Sequence, residues 1–78
     1  MTIYDLKVGD EGTITEFLAG KEFRRRLVSL GVTKDSRFNI KHITVMRNVF
    51  EIELDSGTLI ALRKGEARKV EVELCKNL

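Results

Sequence analysis

Three consecutive arginines, Arg24, Arg25 and Arg26, are the densest concentration of potential chemistry in this sequence. Guanidinium groups bind carboxylates and phosphates through paired N–H donors, so a cluster of them points to an anionic partner. The cluster sits in residues 20–47, where Lys21, Arg24, Arg25, Arg26, Lys34, Arg37, Lys41 and Arg47 meet only Glu22 and Asp35. The flanking segments lean acidic, so a net charge of +2 conceals a strongly positive stretch. Such asymmetry fits either a partner surface of opposite sign or a solvated helix face.

Other chemistry is thinner. A metal centre needs several His, Cys or carboxylate ligands converging. His42 and Cys75 stand 33 positions apart, and neither CxxC nor HxxxH spacing occurs. Glu51, Glu53, Glu71 and Glu73 alternate, and i, i+2 residues of a strand share a face. His42, Glu51 and Glu53 are therefore the weak candidates for a cation, although a wet strand face is the ordinary cause of such a pattern. Ser29, Ser36 and Ser56 lack a nearby base and no GxSxG is present, which disfavours nucleophilic catalysis. Gly9-x-x-Gly12 lacks the Lys-Ser/Thr of a phosphate loop. No enzyme is expected. Nucleic-acid binding through residues 21–47, with Arg25, Arg37, Lys41 and Arg47 on phosphates, is the alternative. It is disfavoured because Phe23, Phe38 and Phe50 fall in the inward phase and leave no stacking platform.

Five stretches with strand patterning must position these groups. They are residues 12–18, 36–45, 48–55, 58–62 and 69–74. In the second, the apolar phase runs Phe38, Ile40 and then slips to Ile43, Val45, as a bulge requires. The third alternates cleanly, with Phe50, Ile52 and Leu54 inward, and Ser56-Gly57 reads as a two-residue hairpin turn. Thr58–Leu62 is apolar on both faces and reads as a central strand. One helix fits Lys21–Leu30: on a wheel of about 100° per residue, Phe23, Leu27 and Leu30 make a stripe about 60° wide. Gly31 suits its left-handed cap. A single further turn fits Lys64–Ala67. Three successive arginines span about 200° of a helix, so they cannot all serve one surface. At least one should pack along the apolar stripe. The expected fold is mainly β: a small, bent antiparallel barrel of about five strands, with one helix inserted after the first. An open sheet with the helix packed on it is the runner-up. Closure of the barrel would hide strand edges that a thin core cannot protect.

A length of 78 residues fits a single domain, 1–78. One cysteine cannot form an internal disulfide, which suits a reducing compartment. No apolar run nears the roughly 20 residues needed to span a bilayer, and the early charges leave no room for a signal peptide.

With these elements placed, the pattern resembles the ferrous iron transport protein A (FeoA) family. The resemblance rests on Leu6-Lys-Val-Gly9, on Gly12-Thr13-Ile14, and on Arg25-Arg26-Leu27-Val28-Ser29-Leu30-Gly31-Val32. It continues in Ile60-Ala61-Leu62-Arg63, Glu66-Ala67 and Val70-Glu71-Val72. Two loops depart from the family's habit: Lys34-Asp35 stands where a Pro-Gly turn is frequent, and Thr44–Asn48 lacks a Pro/Gly/Asp-rich turn. The resemblance implies an SH3-like small barrel. It also implies a cytoplasmic accessory to a membrane ferrous iron transporter, bound to that transporter's GTP-binding domain without inserting into the membrane. Monomer or weak oligomer is expected. Lys21, Arg24, Arg25, Arg26 and Arg63 are the expected contact residues. Ferrous or another transition metal is implied by the resemblance alone, with no ligand set that maps onto these residues and no cofactor expected.

Overall fold

Alternation and β-branching yield strands close to where the sequence places them. The computed structural model describes residues 1–18 and 20–75. In it, β1 spans Glu11–Phe17, β2 Arg37–Ile43, β3 Val49–Leu54, β4 Leu59–Arg63 and β5 Val70–Leu74. Helix α1 (Lys21–Ser29) follows β1, and the single turn α2 (Lys64–Ala67) joins β4 to β5. The strands form one antiparallel sheet in the order β4-β3-β2-β1-β5. This is the expected SH3-like small barrel.

Two register shifts bend the sheet, one between Ile14 and Glu16 and one between Ile40 and His42. The second lies at the slip in apolar phase: beyond it Ile43 pairs with Phe50 and remains half-buried, whereas Val45, expected to follow in the same phase, lies past the end of β2 and is 87% exposed. Ile14, Phe38, Ile40, Phe50, Ile52, Leu62, Val70 and Val72 fill the concave side. Gly12 lets β1 approach its neighbours closely, because a Cβ there would stand 3.0 Å from both the Glu73 carbonyl oxygen and Phe38 Cζ.

Three features differ from the sequence expectations. First, β4 pairs only with β3 and lies at one end of the sheet, so it is an edge strand and not a central one. An apolar run reports the polarity of both faces but says nothing of hydrogen-bonded neighbours, and Leu59 is 55% exposed. Second, no ladder joins β4 to β5 among the described residues, so the hydrogen bonding does not close on itself. Third, the β3–β4 turn holds three residues, Asp55 to Gly57: the Leu54 N–H donates to Thr58 O and the Gly57 N–H to Leu54 O.

The N-terminal residues, for which the sequence predicts no element, plug one end of the core. A 3-10 turn at Ile3–Asp5 is held by the Thr2 N–H donating to Asp5 Oδ2 at 2.8 Å. Ile3 and Leu6 are buried completely or nearly so. Both loops that depart from the family's habit contain non-glycine residues at positive φ: Asp35 at +70°, Met46 at +72° and Arg47 at +57°. These conformations cost energy, so the surroundings must enforce them. The Asp35 N–H donates to Ile14 O at 2.7 Å, and the Arg47 N–H donates to Thr44 O at 2.8 Å.

Candidate functional site

Helix α1 touches the core through one fully buried side chain, Leu27, with Phe23 partly buried beside it. Its C-terminus is tightly specified. The Val32 N–H donates to Leu27 O at 2.8 Å and the Gly31 N–H to Val28 O at 3.0 Å. This is a Schellman motif, with Gly31 at φ +95° and the buried Val32 against Leu27 as its apolar contact.

Fixing that stripe inward fixes everything else on the helix. At about 100° per residue, Lys21, Arg24, Val28 and Arg25 fall on one outward face about 100° wide. All four are exposed, and Val28 retains 45% of its surface. Lys21 and Arg25 carry no ion pair among the described residues, and the Arg24 guanidinium lies 5.9 Å from the Phe17 ring centroid, its stem along the core margin. Three cations around an exposed aliphatic side chain make the clearest partner-shaped surface in the molecule. The sequence offered a signal for Val28 that was missed: it is an apolar residue off the stripe, between two arginines.

The expected contact set therefore splits. Lys21, Arg24 and Arg25 share this face, whereas Arg26 turns to the opposite side and forms an ion pair with Glu66 of α2. Glu66 Oε1 also accepts the Arg63 backbone N–H at 2.9 Å. One carboxylate thus ties α1 to the β4–α2 junction. The Arg63 side chain is exposed on β4, apart from the α1 face.

The remaining bases of the positive segment are dispersed. Lys34 pairs with Glu16 at 3.2 Å and Lys41 with Glu53 at 3.4 Å. The N–H of Phe17, and then Lys34, hold the Glu16 carboxyl below its ordinary range. Arg47 turns inward, donating to Leu6 O at 3.0 Å and to Tyr4 O. Arg37 reaches Cys75 Sγ at 3.9 Å. For the cation candidates, His42 and Glu51 are register partners on β2 and β3, while Glu53 is engaged with Lys41. No group of three or more His, Cys, Asp or Glu side chains gathers around a common point among the described residues.

A model of the FeoA domain matches residues 1–74. The chain belongs to the FeoA family. It is 35% identical over 74 residues to an Fe(2+) transport protein A of Campylobacter jejuni, covering 95% of this chain and 99% of that one. The solution structure of an FeoA protein from Chlorobium tepidum superposes with a TM-score of 0.90 at 26% identity, covering 97% of this chain and 71% of that one. A crystal structure of an iron uptake regulatory protein (FeoA) gives 0.83 at 27%, covering 96% of each.

In this FeoA-family chain a second cationic group forms around Tyr4. The Arg68 guanidinium lies 4.4 Å from its ring centroid, and that of Arg47 lies 5.1 Å from the centroids of both Tyr4 and Phe50. Hydrogen bonding from Arg68, followed by the charges of Arg68 and Lys64, lowers the Tyr4 phenol below the ordinary tyrosine value. Sequence spacing gave no hint of this cluster, whose members are scattered along the chain. With one tyrosine and no tryptophan, phenolate absorbance reports Tyr4 alone. Its titration is expected to begin below that of free tyrosine and to move up toward it in Arg68→Ala. The folded chain releases this proton first. The stabilisation is therefore complete above the ordinary value and lost as pH falls through the depressed one. An unchanged midpoint in Arg68→Ala would remove Arg68 as the cause.

Proposed function

We propose that this chain is an accessory protein of ferrous iron uptake. It docks through the outward face of α1 on the cytoplasmic GTP-binding part of a membrane ferrous iron transporter and biases that domain's nucleotide or assembly state. The observation that carries the reading is the Lys21, Arg24, Arg25 and Val28 face, three cations around an exposed aliphatic side chain on a rigidly capped helix. Family membership and the likeness to a protein named for Fe(2+) transport supply the pathway. Charge complementarity sets orientation and on-rate, and the buried Val28 contact slows dissociation. The role is binding in the cytoplasm, with no chemical step. No described helix is long and apolar enough to cross a membrane, which leaves the transporter to supply the membrane part.

Arg24→Glu combined with Arg25→Glu tests this. Capture by the transporter's isolated cytoplasmic domain is expected to weaken about tenfold or more, with the far-ultraviolet circular dichroism unchanged. Undiminished capture by the folded double variant would reject the α1 face as the docking surface.

A further inference from the structure

Tyr4, Arg47, Lys64 and Arg68 are scattered along the chain but meet beside the N-terminal plug, and three of them are cations. The Arg68 guanidinium lies over the Tyr4 ring, 4.4 Å from its centroid, and that of Arg47 lies 5.1 Å from the same centroid. The Arg68 N–H donates to Lys64 O at 3.2 Å, so these two residues stand one helical turn apart across α2. The Lys64 N–H donates to Asn48 O at 2.8 Å, which ties that turn to the loop carrying Arg47.

This positive charge is not neutralised from within. None of Arg47, Lys64 and Arg68 forms an ion pair among the described residues. The charged groups that act on the Tyr4 phenol are Arg68, Arg47 and Lys64, all of one sign. Carboxylates nearby are engaged elsewhere: Asp5 Oδ2 accepts the Thr2 N–H at 2.8 Å, Glu66 pairs with Arg26, and Glu71 Oε1 holds the N-terminal amine at 3.3 Å. Like charges one turn apart repel, and a third cation against the same ring adds to the repulsion. The two arginines differ in what they leave open. Arg47 is half-buried and donates to Leu6 O and Tyr4 O, whereas Arg68 is exposed and meets no carboxylate. A guanidinium held by its face on an aromatic ring keeps its in-plane N–H groups for a ligand.

We propose that Tyr4, Lys64 and Arg68 form a binding site for a phosphate group, with Arg47 as a fixed positive charge beside the ring. The site shares no residue with the α1 docking face and does not depend on that role. A phosphate suits it better than a carboxylate. It carries up to two charges and presents tetrahedral oxygens, so the Arg68 fork, the Lys64 ammonium and the Tyr4 O–H can each reach one from a different direction. A carboxylate offers one charge and two oxygens in a single plane. The phosphate comes either from a soluble phosphate compound or from a phospholipid headgroup. The second source would also bring acyl chains to Val45 and Met46, which precede Arg47 and are 87% and 79% exposed.

The test is a titration of the whole chain with pyrophosphate to about 10 mM, followed by amide shifts in heteronuclear NMR spectra. Saturable shifts centred on Tyr4, Lys64 and Arg68 are expected, with a Kd of about 1 mM. Arg68→Gln is expected to weaken binding about tenfold, whereas Lys41→Gln, which removes the same charge from β2, should leave it unchanged. In parallel, the chain is sedimented with vesicles containing phosphatidic acid and with vesicles of phosphatidylcholine alone. Vesicle binding that requires phosphatidic acid and Arg68, and that falls in a Val45→Ser, Met46→Ser double variant, assigns the headgroup. Pyrophosphate binding without vesicle binding assigns the soluble source. Failure of both probes to bind overturns the proposal, as does wild-type-like binding by folded Arg68→Gln. Equal weakening by Arg68→Gln and Lys41→Gln overturns it too, because net charge alone would then explain the binding.

Discussion

Phe50→Ala is expected to remove most of this domain's stability. Phe50 is fully buried, pairs with Leu62 on one side and Ile43 on the other, and packs 5.6 Å from the Tyr4 ring. Truncating a buried phenylalanine costs about 3–5 kcal/mol, the lost transfer energy plus the cavity that neighbours cannot fill. A chain of this length has about 4–12 kcal/mol in total. Arg47, whose guanidinium lies 5.1 Å from the centroids of both Tyr4 and Phe50, also loses one of its two aromatic neighbours. Urea unfolding followed by circular dichroism measures the difference. A loss under about 1 kcal/mol would show that the core closes without this ring.

Leu27→Ala should act more locally and almost as strongly. Leu27 is the one buried residue of α1, and its carbonyl accepts the N–H groups of Leu30 and Val32 at the helix end. Truncation costs about 2–5 kcal/mol. Beyond Leu27, α1 retains the half-buried Phe23, the Arg26–Glu66 pair and its cap. An exposed pair of that kind contributes little. The helix is therefore expected to open while the sheet holds. Amide exchange across Arg24–Val32 would accelerate, and the β3 amides would keep most of their protection. Uniform acceleration over the whole chain would mean that α1 and the sheet unfold as one unit. Because α1 carries the proposed docking face, this variant should also lose transporter capture while the strands persist.

The elements governed by local pattern were legible. Phe23 and Leu27 marked the inward side of α1, Gly31 marked its cap, and the slip between Ile40 and Ile43 marked the bulge in β2; Leu30, expected on the same stripe, instead ends the helix and is 43% exposed. On the same wheel Arg25 lies opposite the stripe and Arg24 and Arg26 flank it; the structure keeps Arg25 exposed and joins Lys21 and Arg24 to its face. Partners brought together from distant positions were not legible. Nothing in the spacing of Arg26 and Glu66 shows that α2 returns beside α1, and Tyr4, Arg47 and Arg68 meet only because the N-terminus plugs the core. Arg47 counted as a solvent-facing base in the sequence, yet its guanidinium is spent on the carbonyls of Tyr4 and Leu6.

Side-chain order along the chain thus determined the strands, the helix, its buried stripe and the family, because periodicity and capping are local properties of the backbone. Tertiary structure alone decided which of the eight bases in residues 20–47 remain available and which strand is left at the edge. Ion pairing and strand neighbours depend on contacts between distant segments. That is why a run with the polarity of a central strand, Thr58–Leu62, could fold at the margin of the sheet, paired with β3 alone.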